Sequence, residues 1–245
     1  MSRRLCWWAL LLGLLGPAAA PAEAQSLSLD LGAGGTFTGQ VVKLALLVTV
    51  LSVAPSILVM VTSFVRIVIV LSLLRTAIGL QQSPPNPVLV SLALFLTVFV
   101  MAPTFETAWR EGIQPLVDEE IEESLALERA AQPFHAFMRR QVREKDVALF
   151  LDIARLEPPA SAEELPYRVL VPAFMISELR RAFEIGFVVF VPFLVIDLVV
   201  ACLLMGMGMM MLPPVMISLP FKLIFFVLVD GWYLLVGGLV ESFAG

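Results

Sequence analysis

Residues 183–212 read FEIGFVVFVPFLVIDLVVACLLMGMGMMML, and Glu184 and Asp197 are the only charged groups in that stretch. A helix crosses the hydrocarbon core of a bilayer with about 20 consecutive apolar residues. In that medium, only helices and closed barrels satisfy every backbone polar group. Three further blocks have the same character. Residues 41–79 are interrupted by Pro55 and carry Arg66 and Arg75; VLVSLALFLTVFVMAP follows the break LQQSPPNP; LPFKLIFFVLVDGWYLLVGGLV carries Lys222 and Asp230. The expected fold is therefore an all-α membrane protein with four membrane-type helical segments, several of them kinked or broken. Pro192 is expected to break the third. The composition agrees: 59% of the 245 residues are hydrophobic and 15% charged, where soluble domains carry about 25% charged residues.

The chain opens with Arg3 and Arg4, an apolar run LCWWALLLGLLG and the small residues PAAAPAEA. That is the layout of a secretory signal peptide, with cleavage expected after Ala24; an uncleaved signal anchor is the alternative. The organisation along the chain then reads as a signal peptide at 1–24, a flexible glycine-rich lead-in at 25–40 and a first helical hairpin at 41–103. A helical region follows at 104–184, then a second hairpin at 185–240 and a tail at 241–245. An N-terminus outside the cytoplasm places the 76–87 and 212–220 links inside, flanked by Arg66, Arg75 and Lys222, as the positive-inside rule requires. The 104–184 region and the C-terminus fall outside. Within that region VREKDVALFLDIARLE puts Leu149, Phe150, Ile153 and Leu156 on one helical stripe. Asp152 and Arg155 have pairing distance there, and Ser161 and Glu164 have capping-box spacing ahead of Pro166.

Residues suited to catalysis are scarce. His135 is the single histidine, so no zinc cluster or H-E-x-x-H motif can form, and it reads as a packing or surface residue. LGAGG lacks the G-K-[ST] ending of a phosphate loop. Cys6 leaves with the signal, and Cys202 sits alone in an apolar span, so no disulfide is available. The acidic run DEEIEE, residues 118–123, reads as a solvated face. No enzyme activity, metal, cofactor or nucleic-acid partner is expected.

Charges within apolar segments are more informative, because an ionisable group at membrane depth is costly and faces a cavity, a partner or the bundle interior. Arg66, Arg75, Asp197 and Asp230 are candidate buried or interface charges. Glu178 has Arg181 within helical reach, as Arg180 has Glu184; alternatively, Glu178 meets Lys222 of a neighbouring copy. Met205, Met207, Met209, Met210 and Met211 cluster around Gly206 and Gly208. If residues 201–211 form one helix, Met207 and Met211 share a face and Met205 and Met209 stack on another. Unbranched thioethers fill irregular gaps, and small residues permit close backbone approach. A deformable constriction and a plain Met-rich packing helix are both open on this reading.

Four stretches resemble the FliP family of flagellar type III export-gate subunits: PSILVMVTSFVRIVIVLSLLRTAIGLQQSPPNPVLVSLALFLTVFVMAP, VLVPAFMISELRRAFEIGF, PFLVIDLVVACLLMGMGMMMLPPVMISLPFKL and FVLVDGWYLLVGGLV. Thr76 and Tyr233 depart from the residues common in that family. The resemblance implies a pentamer assembled with FliQ and FliR into a helical, cone-shaped gate in the inner membrane and flagellar basal body. Much of that gate stands at periplasmic height, with 104–184 periplasmic, in contact with membrane lipid and with downstream gate and rod components. It further implies that unfolded rod, hook and filament proteins pass through, and that Met209, Met210 and Met211, with Met205 and Met207, form the pore gasket. The rival readings are a small-solute or ion permease, disfavoured by four segments without an inverted repeat, and a structural subunit that lines no pore.

Overall fold

A computed structural model describes residues 37–244 except Gln81, Ala160 and Met210. The expected signal peptide and most of the lead-in lie outside the described residues. The chain divides into two units, Met1–Leu51 and Ser52–Gly245, and the core, ion pairs and cavities described below belong to the second.

All regular structure among the described residues is helical. The helices are α1 (Phe37–Met60), α2 (Phe64–Ile78), α3 (Asn86–Ala108), α4 (Gln114–Val117), α5 (Glu123–Gln141), α6 (Glu144–Ala154), α7 (Tyr167–Gly206), α8 (Pro214–Leu228) and α9 (Gly231–Glu241). A π-helical stretch, Trp109–Ile113, joins α3 to α4, and Ala162–Glu164 makes one 3-10 turn. Two continuous helical stretches, Asn86–Val117 and Tyr167–Gly206, are long and apolar enough to cross a membrane. The count reaches four if the two bent pairs, Leu44–Met60 with Phe64–Ile78 and Pro214–Leu228 with Gly231–Glu241, each make one span. The second pair bends by 64°.

Pro192 does not break the third segment. It and Pro172 lie inside α7, which runs unbroken for 40 residues and so extends about 60 Å at 1.5 Å per residue. A proline removes one backbone hydrogen bond, and neighbouring helices and side chains make that tolerable in an apolar helix. The expected boundary between 184 and 185 therefore falls in mid-helix, and the one between 103 and 104 falls inside α3.

Two apolar clusters hold the second unit together. In one, Ile67, Val70, Leu71 and Leu74 of α2 meet Ala93 of α3, Phe193 of α7, Phe226 of α8 and Leu239 of α9. In the other, Met101 of α3 packs with Phe137 and Met138 of α5, Leu151 of α6 and Val169, Leu170 and Phe174 of α7. α7 and α3 thus each carry both clusters. Gly186 lets α2 lie directly on α7, since a Cβ there would stand 2.2 Å from Leu73 Cδ1.

The region between the hairpins corrects three local expectations. Of the expected stripe, Phe150 and Leu156 pack against the core while Leu149 and Ile153 are exposed; Asp146 and Leu151 are buried, with Val147 beside them. The cause is polar: Asp146 is drawn inward by Ser177. Ser161 makes no capping hydrogen bond, because Pro166 leaves room for only one turn. Arg155 ends α6 in a left-handed conformation, its amide donating to the Asp152 carbonyl at 3.0 Å. His135 is a packing residue: its Nε2 donates to the Leu165 carbonyl at 2.8 Å and its ring meets Tyr167 edge to face.

Candidate pore loop and its polar anchors

The methionine run is not one helix: Met205 lies in the last turn of α7, and Met207, Met209 and Met211 follow its end. α7 ends at Gly206, and the next residues form a Schellman turn: the Met209 amide donates to the Leu204 carbonyl and the Gly208 amide to that of Met205, both at 3.0 Å. Gly208 takes φ +75°, the left-handed position that closes this motif and that side-chain-bearing residues adopt at a cost. Proline at 213 and 214 then starts α8. Met205 and Met209 therefore do not stack on a helical face. All four described methionines of the run are exposed, Met211 at 98%; Met210 lies outside the described residues. Within the single chain, a Cβ on either Gly206 or Gly208 would meet nothing within 4 Å. Gly208 terminates a helix rather than packing one.

Three polar clusters brace the helices behind this loop. The deepest is centred on Arg66, which is wholly buried. Its Nε donates to Glu178 Oε2 at 2.8 Å and its Nη2 to Glu178 Oε1. Nη2 also reaches Gln141 Oε1, and Nη1 reaches both the carbonyl and the hydroxyl of Ser242, each at 3.0 Å. The guanidinium lies 3.7 Å from the Phe243 ring centroid, within cation–π range. Gln141 in turn donates to the Phe243 carbonyl and accepts from Arg181. One side chain thereby joins α2, α5, α7 and the segment after α9, as only the planar five-donor guanidinium can.

The second cluster lies at the start of α6. Arg143 makes a two-pronged contact with Asp146, with both hydrogen bonds at 2.9 Å, and Ser177 Oγ donates to Asp146 Oδ2 at 2.5 Å. Burial pulls the Asp146 carboxyl upward. The Ser177 hydrogen bond, then the Arg143 hydrogen bonds and charge, outweigh it and hold the group below its ordinary value.

The third cluster stands nearest the loop. Lys222 of α8 donates to Asp197 Oδ2 of α7 at 2.6 Å and to the Ala77 carbonyl of α2 at 3.1 Å. Ser218, one turn before Lys222, donates to Asp197 Oδ1 at 2.5 Å.

Within the chain, Glu178 and Lys222 have different partners: Glu178 pairs with Arg66, and Lys222 with Asp197. The pair of Arg180 and Glu184 forms as expected, at 2.7 Å, while Arg181 turns to Gln141. Arg75 binds Asn86 Oδ1 at 2.6 Å and the Pro84 carbonyl at 3.2 Å, holding the link between α2 and α3. Asp230 is exposed at the bend before α9, with φ 51°. Gln141, Ser177, Ser218, Ser242 and Phe243 carry no sequence signal comparable to a charge in an apolar run, except Ser218, whose four-residue spacing from Lys222 puts both on one face.

The chain is 63% identical over 227 residues to the flagellar biosynthetic protein FliP of Caulobacter vibrioides, an alignment covering 93% of this chain and 85% of that one. It is 57% identical over 202 residues to FliP of Bacillus subtilis, covering 82% and 91%. Against FliP of Agrobacterium fabrum it is 52% identical over 248 residues, covering 99% and 100%. The family model described as the FliP family matches residues 47–239, well over half of the sequence that folds into the braced helices described above, and the chain belongs to that family.

Proposed function

We propose that this protein is a wall-forming subunit of the flagellar type III export gate, and that its methionine loop seals the channel through which unfolded rod, hook and filament proteins leave the cytoplasm. Membership in the FliP family supports the export role. The observation that carries the sealing role is a run of exposed thioethers on a short loop between two apolar helices. A monomer gains nothing by presenting Met211 almost fully to solvent. Several copies around an axis, five on our reading, assembled with FliQ and FliR in the inner membrane at periplasmic height, bring these side chains together as an apolar ring. Unbranched, polarisable side chains change rotamer readily, so the ring closes over an empty lumen and moulds around passing chains. The protein acts as a channel wall and not as a catalyst.

The test replaces Met209, Met210 and Met211 together with alanine and measures resting ion conductance across membranes carrying the assembled gate, alongside secretion of hook protein. We expect a leak with the gate still assembled, and isoleucine at the same positions to leak less than alanine. Unchanged conductance in the assembled alanine variant would overturn the sealing role.

A further inference from the structure

A seal works only if every copy presents its loop at the same height, and the loop itself does not supply that precision. It hangs between α7 and α8, whose facing surfaces leave an apolar groove of about 530 Å³ running from Val195 and Phe225 to Leu204 and Met207 beside the loop. Apolar side chains in lipid have no hydrophobic drive to choose one neighbour over another. Beyond the ring contacts of Phe193 with Phe225 and Phe226, a shift of α8 by one helical turn, about 5.4 Å, exchanges aliphatic contacts for others of similar kind. Directional contacts are needed to set the register.

The cluster of Asp197, Ser218 and Lys222 supplies them. Asp197 lies nine residues before Gly206 and Lys222 eight after Pro214, so the cluster sits about 12–14 Å along each helix from the loop. Both carboxylate oxygens are engaged from α8, one by Lys222 and one by Ser218. The remaining Lys222 contact goes to the Ala77 carbonyl in the last turn of α2, where the helix dipole favours a cation. Ser218 and Lys222 are buried, and the Asp197 side chain keeps 30% of its surface. Among the described residues, these are the side-chain hydrogen bonds that join α8 to α7. A polar group buried for register rather than stability has precedent in helical assemblies.

We infer that Asp197, Ser218 and Lys222 are positioning residues that pin α8 in register against α7 and α2, and so set the height of the methionine loop in the channel. The inference rests on the sealing role proposed above, and its test separates the two. In assembled gates with Cys6 replaced by serine, nitroxide labels on Cys202 and on Met216→Cys, one labelled copy per gate, report the separation of α7 and α8 at the loop. The decisive variant is Asp197→Leu with Lys222→Leu, because replacing an ion pair with apolar residues commonly preserves stability. We expect this double variant to assemble with wild-type thermal stability, yet to show a broadened distance distribution and a severalfold rise in resting conductance, while Lys222→Arg keeps the narrow distribution. A narrow distribution in the assembled double variant overturns the register pin. A broadened distribution without added conductance keeps the pin and removes the methionine seal. If the double variant does not assemble, Ser218→Ala, which removes one hydrogen bond, is read in the same way: broadening supports the pin and an unchanged distribution overturns it.

Discussion

Among the described residues, Arg66 gathers an unusual number of partners. It is held by both oxygens of Glu178, by Gln141 and Ser242, and by the Phe243 ring. Removing one partner of such a buried pair leaves the other charge stranded, which costs about 3–5 kcal/mol. Arg66→Ala should therefore destabilise the detergent-solubilised chain by that order. Arg66→Lys should recover only part of the loss, because an ammonium cannot serve a forked carboxylate and a backbone carbonyl in fixed directions. Thermal unfolding of the two variants checks this, and equal stability of wild type and Arg66→Ala would contradict it. Asp146 makes a pH prediction. Its folded-state carboxyl lies below its ordinary value, so its contribution to stability is complete above the unfolded-state pKa of about 4 and is lost as pH falls through the lower folded value. Asp146→Asn should lower the melting temperature at pH 7, and the gap to wild type should narrow below about pH 4. A gap that stays constant to pH 3 would show that the charge is not what Asp146 contributes.

At the scale of helices, glycine has opposite uses in different places. Gly112 in the π-helical stretch faces α5 so closely that a Cβ would stand 2.6 Å from the Ala130 amide nitrogen and 2.8 Å from its Cα. Backbone cannot step aside as a side chain can, so Gly112→Ala should cost about 1–3 kcal/mol, as overpacking does. Gly206 has open space at the end of α7, and Gly206→Ala in the single solubilised chain should gain up to about 1 kcal/mol from helix propensity. Unfolding of the two variants side by side tests the contrast. Gly231 resembles Gly112 in that a Cβ would fall 2.2 Å from the Phe226 ring; it lets the chain turn sharply from α8 into α9. None of these close approaches involves Gly206 or Gly208, the two glycines that the Met-rich run draws attention to.

At the scale of the second unit, apolar side chains far outnumber the interior positions available to them. Phe95 and Phe99 on α3, Phe187 and Val188 on α7, and Val227 and Leu228 on α8 are all exposed. Contiguous apolar surface of this kind marks contact with lipid or with protein neighbours. It accords with a family of membrane-embedded export components. The N-terminal half of α7 behaves differently: Phe174, Ser177 and Glu178 are fully buried there. One 40-residue helix thus contributes to both core clusters, exposes much of its C-terminal half, and carries the methionine loop on its far tip.

What the sequence determined by itself was governed by local chemistry. Long apolar runs dictate helices, because no other open structure satisfies the backbone without water. Charges inside or beside those runs single out Arg66, Asp197, Glu178 and Lys222 as residues requiring partners. The partners were decided only by the tertiary structure. Arg66 and Glu178 are 112 positions apart, and Lys222 and Asp197 are 25 apart. A carboxylate offers the same charge to any nearby cation, so sequence spacing favours Arg181 for Glu178, whereas packing delivers Arg66. The rotation of α6 is likewise legible only once Ser177 is seen beside Asp146. Hydropathy identifies which groups must be satisfied; the three-dimensional packing of the helices, through burial and hydrogen-bond direction, decides by whom.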